Sequence, residues 1–127
     1  MKTETVGLWI DHRKAVIVFL SGQEEEIKLI SSEIEKPHGK SGASVQADDQ
    51  QQRKLTEDLN RYYDEVISAL GEATDILIMG PGEAKGELKK RFAANPVAGR
   101  EAEVITVDRI TDRQIVAKVR EHFLKRN

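Results

Sequence analysis

The chain of 127 residues contains no cysteine. This absence excludes disulfides, iron–sulfur clusters, zinc ribbons and thiol nucleophiles together. No apolar run approaches the roughly 18–20 residues that a membrane span needs. The first residues also lack the charged-then-apolar pattern of a secretory signal. The sequence therefore predicts a water-soluble, cytoplasmic protein with no membrane partner.

What the chain does contain is a balanced mixture of 39% hydrophobic and 33% charged residues. This length and composition are typical of one globular domain with its own core, here residues 1–127. The net charge of −2 conceals an asymmetry along the chain. Residues 1–84 hold 9 Lys and Arg against 16 Asp and Glu, whereas residues 85–127 hold 11 against 6. Such polarity favours an oriented surface that faces a polyanion.

Apolar patterning predicts five strands and three helices. The predicted strands cover residues 6–10, 15–20, 26 to about 34, 75–79 and 103–107. The first two are apolar at nearly every position, which indicates a sheet covered on both faces, and the third alternates like an edge strand. Apolar residues at helical spacing define the helices, namely Leu55, Leu59, Tyr63, Val66 and Leu70, then Ala84, Leu88 and Phe92, then Ile115, Val119 and Phe123.

The element order is therefore βββαβαβα. Strands that are separated by helices imply right-handed parallel crossovers, and the opening hairpin adds an antiparallel strand. We expect a three-layer α/β fold, with helices on both faces of a five-stranded mixed sheet. This is the ribonuclease-H-like architecture.

Residues 36–52 interrupt the pattern with turn formers and polar residues. A loop of about 15 residues is long for a compact domain, which indicates a functional or flexible segment. The cations Lys36, His38 and Lys40 alternate through it, and Arg53 and Lys54 follow at the entrance to the first helix. Spaced cations on a flexible loop can follow a phosphate backbone and order on contact, although a solvated loop explains the same pattern.

A metal-dependent phosphodiesterase or nuclease is an alternative, because such sites gather carboxylates at strand ends. Asp11 ends the first strand and Asp108 ends the last. Carboxylates of the first helix would complete the site, and the candidates are Glu57, Asp58, Asp64 and Glu65. Both strand-end residues fit equally well as turn residues. His12, His38 and His122 share no ligand spacing or obvious partner, which is typical of surface histidines, and no cofactor motif is present.

The long loop carries a family resemblance. It reads His38-Gly39-Lys40-Ser41-Gly42-Ala43, and it resembles the His-Gly-Arg-Gly-Gly-Gln loop in the middle domain of eukaryotic and archaeal class-one release factors. The element order is also similar to that domain and to the corresponding domain of Pelota. Residues 75–83 and 86–91 resemble small bacterial relatives of the translational-machinery type. The resemblance covers most of the chain in topology and about fifteen to twenty residues in motif.

The resemblance implies a role in translation termination or rescue at the ribosome. His38, Gly39 and Gly42 match the release-factor loop and Lys40 keeps its charge, but Ser41 and Ala43 replace a glycine and the glutamine. Because a methyl group cannot orient the attacking water, the Ala43 position disfavours peptide release. Pelota-like relatives also lack the glutamine tip and act without hydrolysis.

The sequence therefore predicts a non-catalytic, RNA- or ribosome-associated domain without a cofactor or metal. The predicted phosphate contacts are Lys36, His38, Lys40, Arg53 and Lys54, with Lys89, Lys90 and Arg91 on the second helix. A protein–protein interaction module, including a homo-oligomer, remains a third interpretation, since an apolar sheet edge or helix face can pair with itself or with a partner.

Overall fold

A computed structural model describes residues 5–21, 24–32, 48–94 and 101–126 of the chain. It has the predicted order of five strands and three helices within these ranges. The elements are β1 (Thr5–Ile10), β2 (Lys14–Ser21), β3 (Glu24–Ser31), α1 (Asp48–Ala69), β4 (Asp75–Gly80), α2 (Ala84–Ala93), β5 (Glu101–Thr106) and α3 (Asp112–Arg126).

The five strands form one sheet in the order β3-β2-β1-β4-β5. β1, β4 and β5 run parallel, while β2 lies antiparallel to both β1 and β3. The carboxyl ends of β1, β4 and β5 therefore meet at one edge of the sheet, which we call the carboxyl edge. The mixed sheet and the ribonuclease-H-like strand order confirm the predicted fold class.

Two cores lie on opposite faces of the sheet, and the strands supply alternate residues to each. In β1, for example, Leu8 packs in the core beneath α1 and α2, whereas Trp9 packs in the core beneath α3. In β4, Ile78 and Met79 divide in the same way. This alternation explains the continuous apolar runs in the sequence, because both faces of the central strands are covered.

The predicted start of the first helix is wrong. Residues 48–52 belong to α1, although the sequence assigned them to the long loop that was predicted to end at Gln52. Asp and Gln are tolerated near a helix start, where carboxylates also complement the helix dipole. The missing signal was an apolar stripe, since residues 48–52 are Asp and Gln only. Leu55 is 43% exposed here, against its predicted inward position.

The predicted third strand also differs from the structure. β3 lies at the edge of the sheet, as predicted, but it spans Glu24–Ser31 instead of 26–34. Its alternating apolar residues do not pack inward: Ile27 is 44% exposed and Leu29 is 62% exposed, and Ile30 alone is buried. β5 likewise begins at Glu101, two residues before its predicted start.

The signals at the helix ends are confirmed. Gly71 follows α1 with a φ of 62°, a left-handed conformation that glycine adopts without strain. Before α3, the backbone N–H of Gln114 donates to Thr111 Oγ1 at 3.1 Å, and the backbone N–H of Thr111 donates to Gln114 Oε1 at 2.9 Å. This is the reciprocal capping box that the sequence predicts. Of the helices in the described ranges, none has the length and apolar content required to cross a membrane.

Candidate nucleic-acid interface

The candidate interface begins on α1, the 22-residue helix that follows β3 in the chain. The Tyr62 hydroxyl donates to the carbonyl of Asp11 at 2.9 Å and so fixes the middle of α1 at the carboxyl edge. Leu59 is the first of the described α1 side chains that packs on the core. Residues 53–57 precede it, and all five are exposed. We call residues 53–57 the solvated segment of α1.

Two of the predicted cations, Arg53 and Lys54, lie on this solvated segment of α1 and are exposed. Lys54 Nζ lies 3.9 Å from Asp58 Oδ2, and Arg61 Nη1 lies 3.6 Å from the other oxygen of the same carboxylate. Exposed pairs at these distances contribute little to stability, because water screens them. The Lys54 side chain is 74% exposed, so it remains accessible to an anionic ligand.

The cations of α2 differ in their environments. Lys90 is exposed and Lys89 is half-buried. Arg91 forms a bidentate ion pair with Asp64 of α1. Its Nε and Nη2 atoms donate to the two carboxylate oxygens at 2.6 and 3.0 Å. These hydrogen bonds lower the pKa of Asp64 and raise the pKa of Arg91. Arg91 therefore joins two helices, and part of its charge is already compensated.

A groove of about 480 Å³ separates α1 from α2. Its lining residues come from both helices and are Thr56, Leu59, Asn60, Tyr63, Glu87, Lys90, Arg91 and Ala94. The fold thus brings Lys90 and Arg91 together with the polar side chains of Thr56 and Asn60. Arg53, Lys54 and Lys89 do not line this groove. The loop candidates Lys36, His38 and Lys40, and the matching glycines Gly39 and Gly42, lie outside the described residues.

One polar cluster beside this groove was not predicted. The Tyr63 hydroxyl donates to Glu87 Oε1 at 2.6 Å, and His12 Nε2 lies 3.1 Å from the same oxygen. Burial and the hydrogen bond to Glu87 raise the pKa of Tyr63. The sequence held one usable signal, since a tyrosine on a buried helix face needs a polar partner for its hydroxyl. The cluster joins α1, α2 and the β1–β2 turn.

Two of the three histidines have partners that the sequence did not reveal, although His12 is exposed as predicted. His12 contacts Glu87, as described above, and His122 Nε2 lies 3.3 Å from Glu103 Oε1 with its side chain only 19% exposed. Both pairs join residues far apart in the sequence, which spacing rules do not detect. His38 lies outside the described residues.

Asp11 has partners that define a turn. Its Oδ1 accepts the backbone N–H groups of Arg13 at 2.8 Å and Lys14 at 2.9 Å, and its Oδ2 lies 3.4 Å from Arg109 Nη2. Asp108 also lies near the carboxyl edge, where its carbonyl accepts the indole N–H of Trp9 at 3.1 Å. Across the four described ranges, no three His, Asp or Glu residues are grouped so that they could hold a metal ion.

The fold is similar to parts of two solved protein structures. Pelota of Archaeoglobus fulgidus superposes with a TM-score of 0.60 at 16% sequence identity, covering 96% of this chain and 32% of that protein. The archaeal translation termination factor aRF1 superposes with a TM-score of 0.50 at 15% identity, covering 91% of this chain and 34% of that protein.

The chain thus spans about a third of the length of each of these proteins. No family model and no curated protein matches the sequence. The comparisons confirm the predicted resemblance at the level of the fold, which is shared with parts of Pelota and aRF1.

Proposed function

We propose that this chain is a non-catalytic domain that binds RNA on the ribosome and is related to translation termination and rescue factors. The observation that carries the proposal is the fold, because the likeness to Pelota extends over 96% of the chain. Fold alone does not define a function. The proposal therefore also depends on the placement of the cations.

The cations that would contact phosphates include two on the solvated segment of α1, where Arg53 and Lys54 are exposed. The predicted cations Lys36, His38 and Lys40 precede α1 in the sequence. The exposed Lys90 at the groove between α1 and α2 would extend the surface. Such a surface would bind a phosphate backbone with an affinity that falls steeply as salt rises.

The proposal includes no peptide hydrolysis. The resemblance assigns that reaction in release factors to a glutamine, and Ala43 stands at the corresponding position. A metal-dependent reaction gains no support from Asp11, because two backbone N–H groups and Arg109 already contact its carboxylate. Binding is therefore the activity to test.

The test is co-sedimentation of the protein with ribosomes from its own host across a salt series. We expect the bound fraction to fall steeply with salt. The variant Lys36→Gln/Lys40→Gln/Arg53→Gln/Lys54→Gln should bind more weakly and with a shallower slope, since each lost phosphate contact reduces the slope of log K against log salt by about 0.7–0.9.

A matched control distinguishes the loss of specific phosphate contacts from a general effect of lower positive charge. Arg53→Gln/Lys54→Gln and Arg113→Gln/Lys118→Gln each remove one exposed arginine and one exposed lysine from a helix. The second pair lies on α3, on the other face of the sheet, so only the first pair should weaken binding. Equal losses from both variants, or no sedimentation at low salt, would contradict the proposal.

A further inference from the structure

The edge strand β3 combines three features that the proposed function does not use. It is the outer strand of the sheet, and among the described residues no strand lies beyond it to pair with its outward N–H and C=O groups. It also exposes two large apolar side chains, Ile27 and Leu29. Finally, it alternates these residues with charged ones. A surface of this kind can accept another strand.

The two faces of β3 differ in character. Ile27 pairs with Val18 and Leu29 with Val16, and these valines belong to the core beneath α3. Residues directly opposite one another lie on the same face of a sheet. Ile27 and Leu29 therefore extend the α3 core outward to the open edge, where α3 does not bury them.

The opposite face of β3 carries charge. Glu26 pairs with Phe19 and Lys28 with Ile17, so both charged residues lie on the face that carries α1 and α2. Lys28 also lines a groove of about 410 Å³ between β3 and α1. Within the described ranges, neither Glu26 nor Lys28 has an ion-pair partner.

We propose that β3 pairs with β3 of a second copy of this chain, antiparallel and with Ile27 opposite Ile27, so that the two sheets form one continuous sheet. In this register Glu26 of each copy lies opposite Lys28 of the other, which gives two cross-strand ion pairs. The apolar residues of both copies then share one face. Glu26 and Lys28 are thus self-complementary in this register, while Glu24 and Glu25 lie opposite Ile30 and Leu29.

Neighbouring registers lack this match. A pairing with Lys28 opposite Lys28 places these like charges directly across from each other, which is destabilising. A pairing with Glu26 opposite Glu26 does the same, and although it sets Lys28 opposite Glu24, it places Ile27 opposite Glu25. A shift by one residue places Ile27 opposite Lys28 and mixes apolar with charged side chains on each face. Ordinary edge strands use such charges to prevent pairing, whereas here one register converts them into attraction.

Sedimentation velocity and light scattering over a range of protein concentration test this proposal. We expect the wild-type protein to form a dimer as its concentration rises. Glu26→Lys and Lys28→Glu should each raise the dissociation constant about tenfold or more, because each places like charges opposite one another twice in the dimer. Lys118→Glu changes the same charge on exposed α3 and should dimerise like wild type.

Mixing the two variants distinguishes this register from any other interface. A Glu26→Lys chain has lysine at both positions and a Lys28→Glu chain has glutamate at both, so their equimolar mixture should form a heterodimer. The double variant Glu26→Lys/Lys28→Glu should dimerise again with itself. A monomeric wild type, single variants that dimerise as tightly as wild type, or a mixture that stays monomeric would each overturn the proposal. The experiment needs no ribosome, so its outcome is independent of the proposed function.

Discussion

Single residues set how closely the layers of this fold approach. Gly7 lies in the middle of β1, beneath α3. A Cβ atom at this position would clash with Val119 Cγ2 and would lie 2.7 Å from Val119 Cγ1. Val119 is fully buried, so its side chain has little room to move away. The glycine therefore permits a contact between helix and strand that no larger residue allows.

We expect Gly7→Ala to lower the free energy of unfolding by about 1–3 kcal/mol, as overpacking of a core does. Gly86→Ala is the matched control, because a Cβ atom there meets nothing within 4 Å and the residue lies inside α2. The control should stabilise the protein by about 0.5–1 kcal/mol, since alanine favours helix. Urea titration of both variants measures the two effects. Equal shifts of the same sign would contradict the packing role of Gly7.

At the scale of elements, two adjacent tyrosines attach α1 to the rest of the fold. Tyr62 donates to the Asp11 carbonyl and Tyr63 to the Glu87 carboxylate. Burial raises the pKa of both hydroxyls, with the charge of Asp11 adding to the shift at Tyr62 and the hydrogen bond to Glu87 adding to it at Tyr63. Both tyrosines therefore stay protonated in the folded protein at pH values where an exposed tyrosine ionises.

This difference predicts an alkaline loss of stability. An unfolded tyrosine ionises near its ordinary pKa of about 10, whereas the folded tyrosines have higher pKa values. Their stabilising contribution is thus fully present below pH 10, and it falls as the pH rises above that value. Denaturant titrations from neutral pH to about pH 11 should show this fall, and it should be shallower in Tyr62→Phe/Tyr63→Phe. An unchanged slope in the double variant would assign the alkaline effect to other groups.

Helices and strands whose apolar residues recur at regular spacing could be predicted from the sequence. The ends of elements that lack such spacing could not. The central strands and α3 follow from apolar runs and a capping box. The start of α1 at Asp48 does not, since residues 48–52 are all Asp or Gln and form no apolar stripe in the sequence. Ile27 and Leu29 differ from the prediction for a related reason. Their alternation is typical of a half-buried strand, but α3 does not bury them.

The candidate site was less predictable than the fold. Exposed cations such as Lys54 can be selected from the sequence, because lysine side chains lie at the surface of most folded proteins. The contact of Arg91 with Asp64, and that of Tyr63 with Glu87, link residues more than 20 positions apart. Only the packing of α1 beside α2 brings these pairs together, and local spacing does not encode that packing.

At the scale of the whole molecule, the charge asymmetry of the sequence does not become a single basic face. The basic carboxyl-terminal third includes α2 and α3, which lie on opposite faces of the sheet. Lys90 is exposed beside α1, while Lys118 is exposed on the other side. A polyanion bound to one face of the sheet would therefore contact only some of the lysines and arginines of this third. For this reason, charge variants on α1 and α3 can distinguish a specific site from an effect of total charge.

The two cores are also a whole-molecule feature, and they carry separate optical probes. The only tryptophan, Trp9, is buried beneath α3, while Tyr62 and Tyr63 are buried beneath α1 and α2. The central strands contribute alternate residues to both cores, so neither core can lose its strands without the other. We therefore expect one cooperative transition, as is usual for single domains of this size.

This expectation has a direct test in two core variants. Val66→Ala opens space beneath α1 and Val119→Ala opens space beneath α3, and both valines are fully buried. Each variant should lower the free energy of unfolding by about 1–3 kcal/mol. Because the sheet couples the cores, each should shift the tryptophan fluorescence and the near-ultraviolet tyrosine signal to the same new urea midpoint. A Val119→Ala variant in which the tryptophan signal moved while the tyrosine signal stayed in place would mean that the α3 layer unfolds separately from the remainder of the domain.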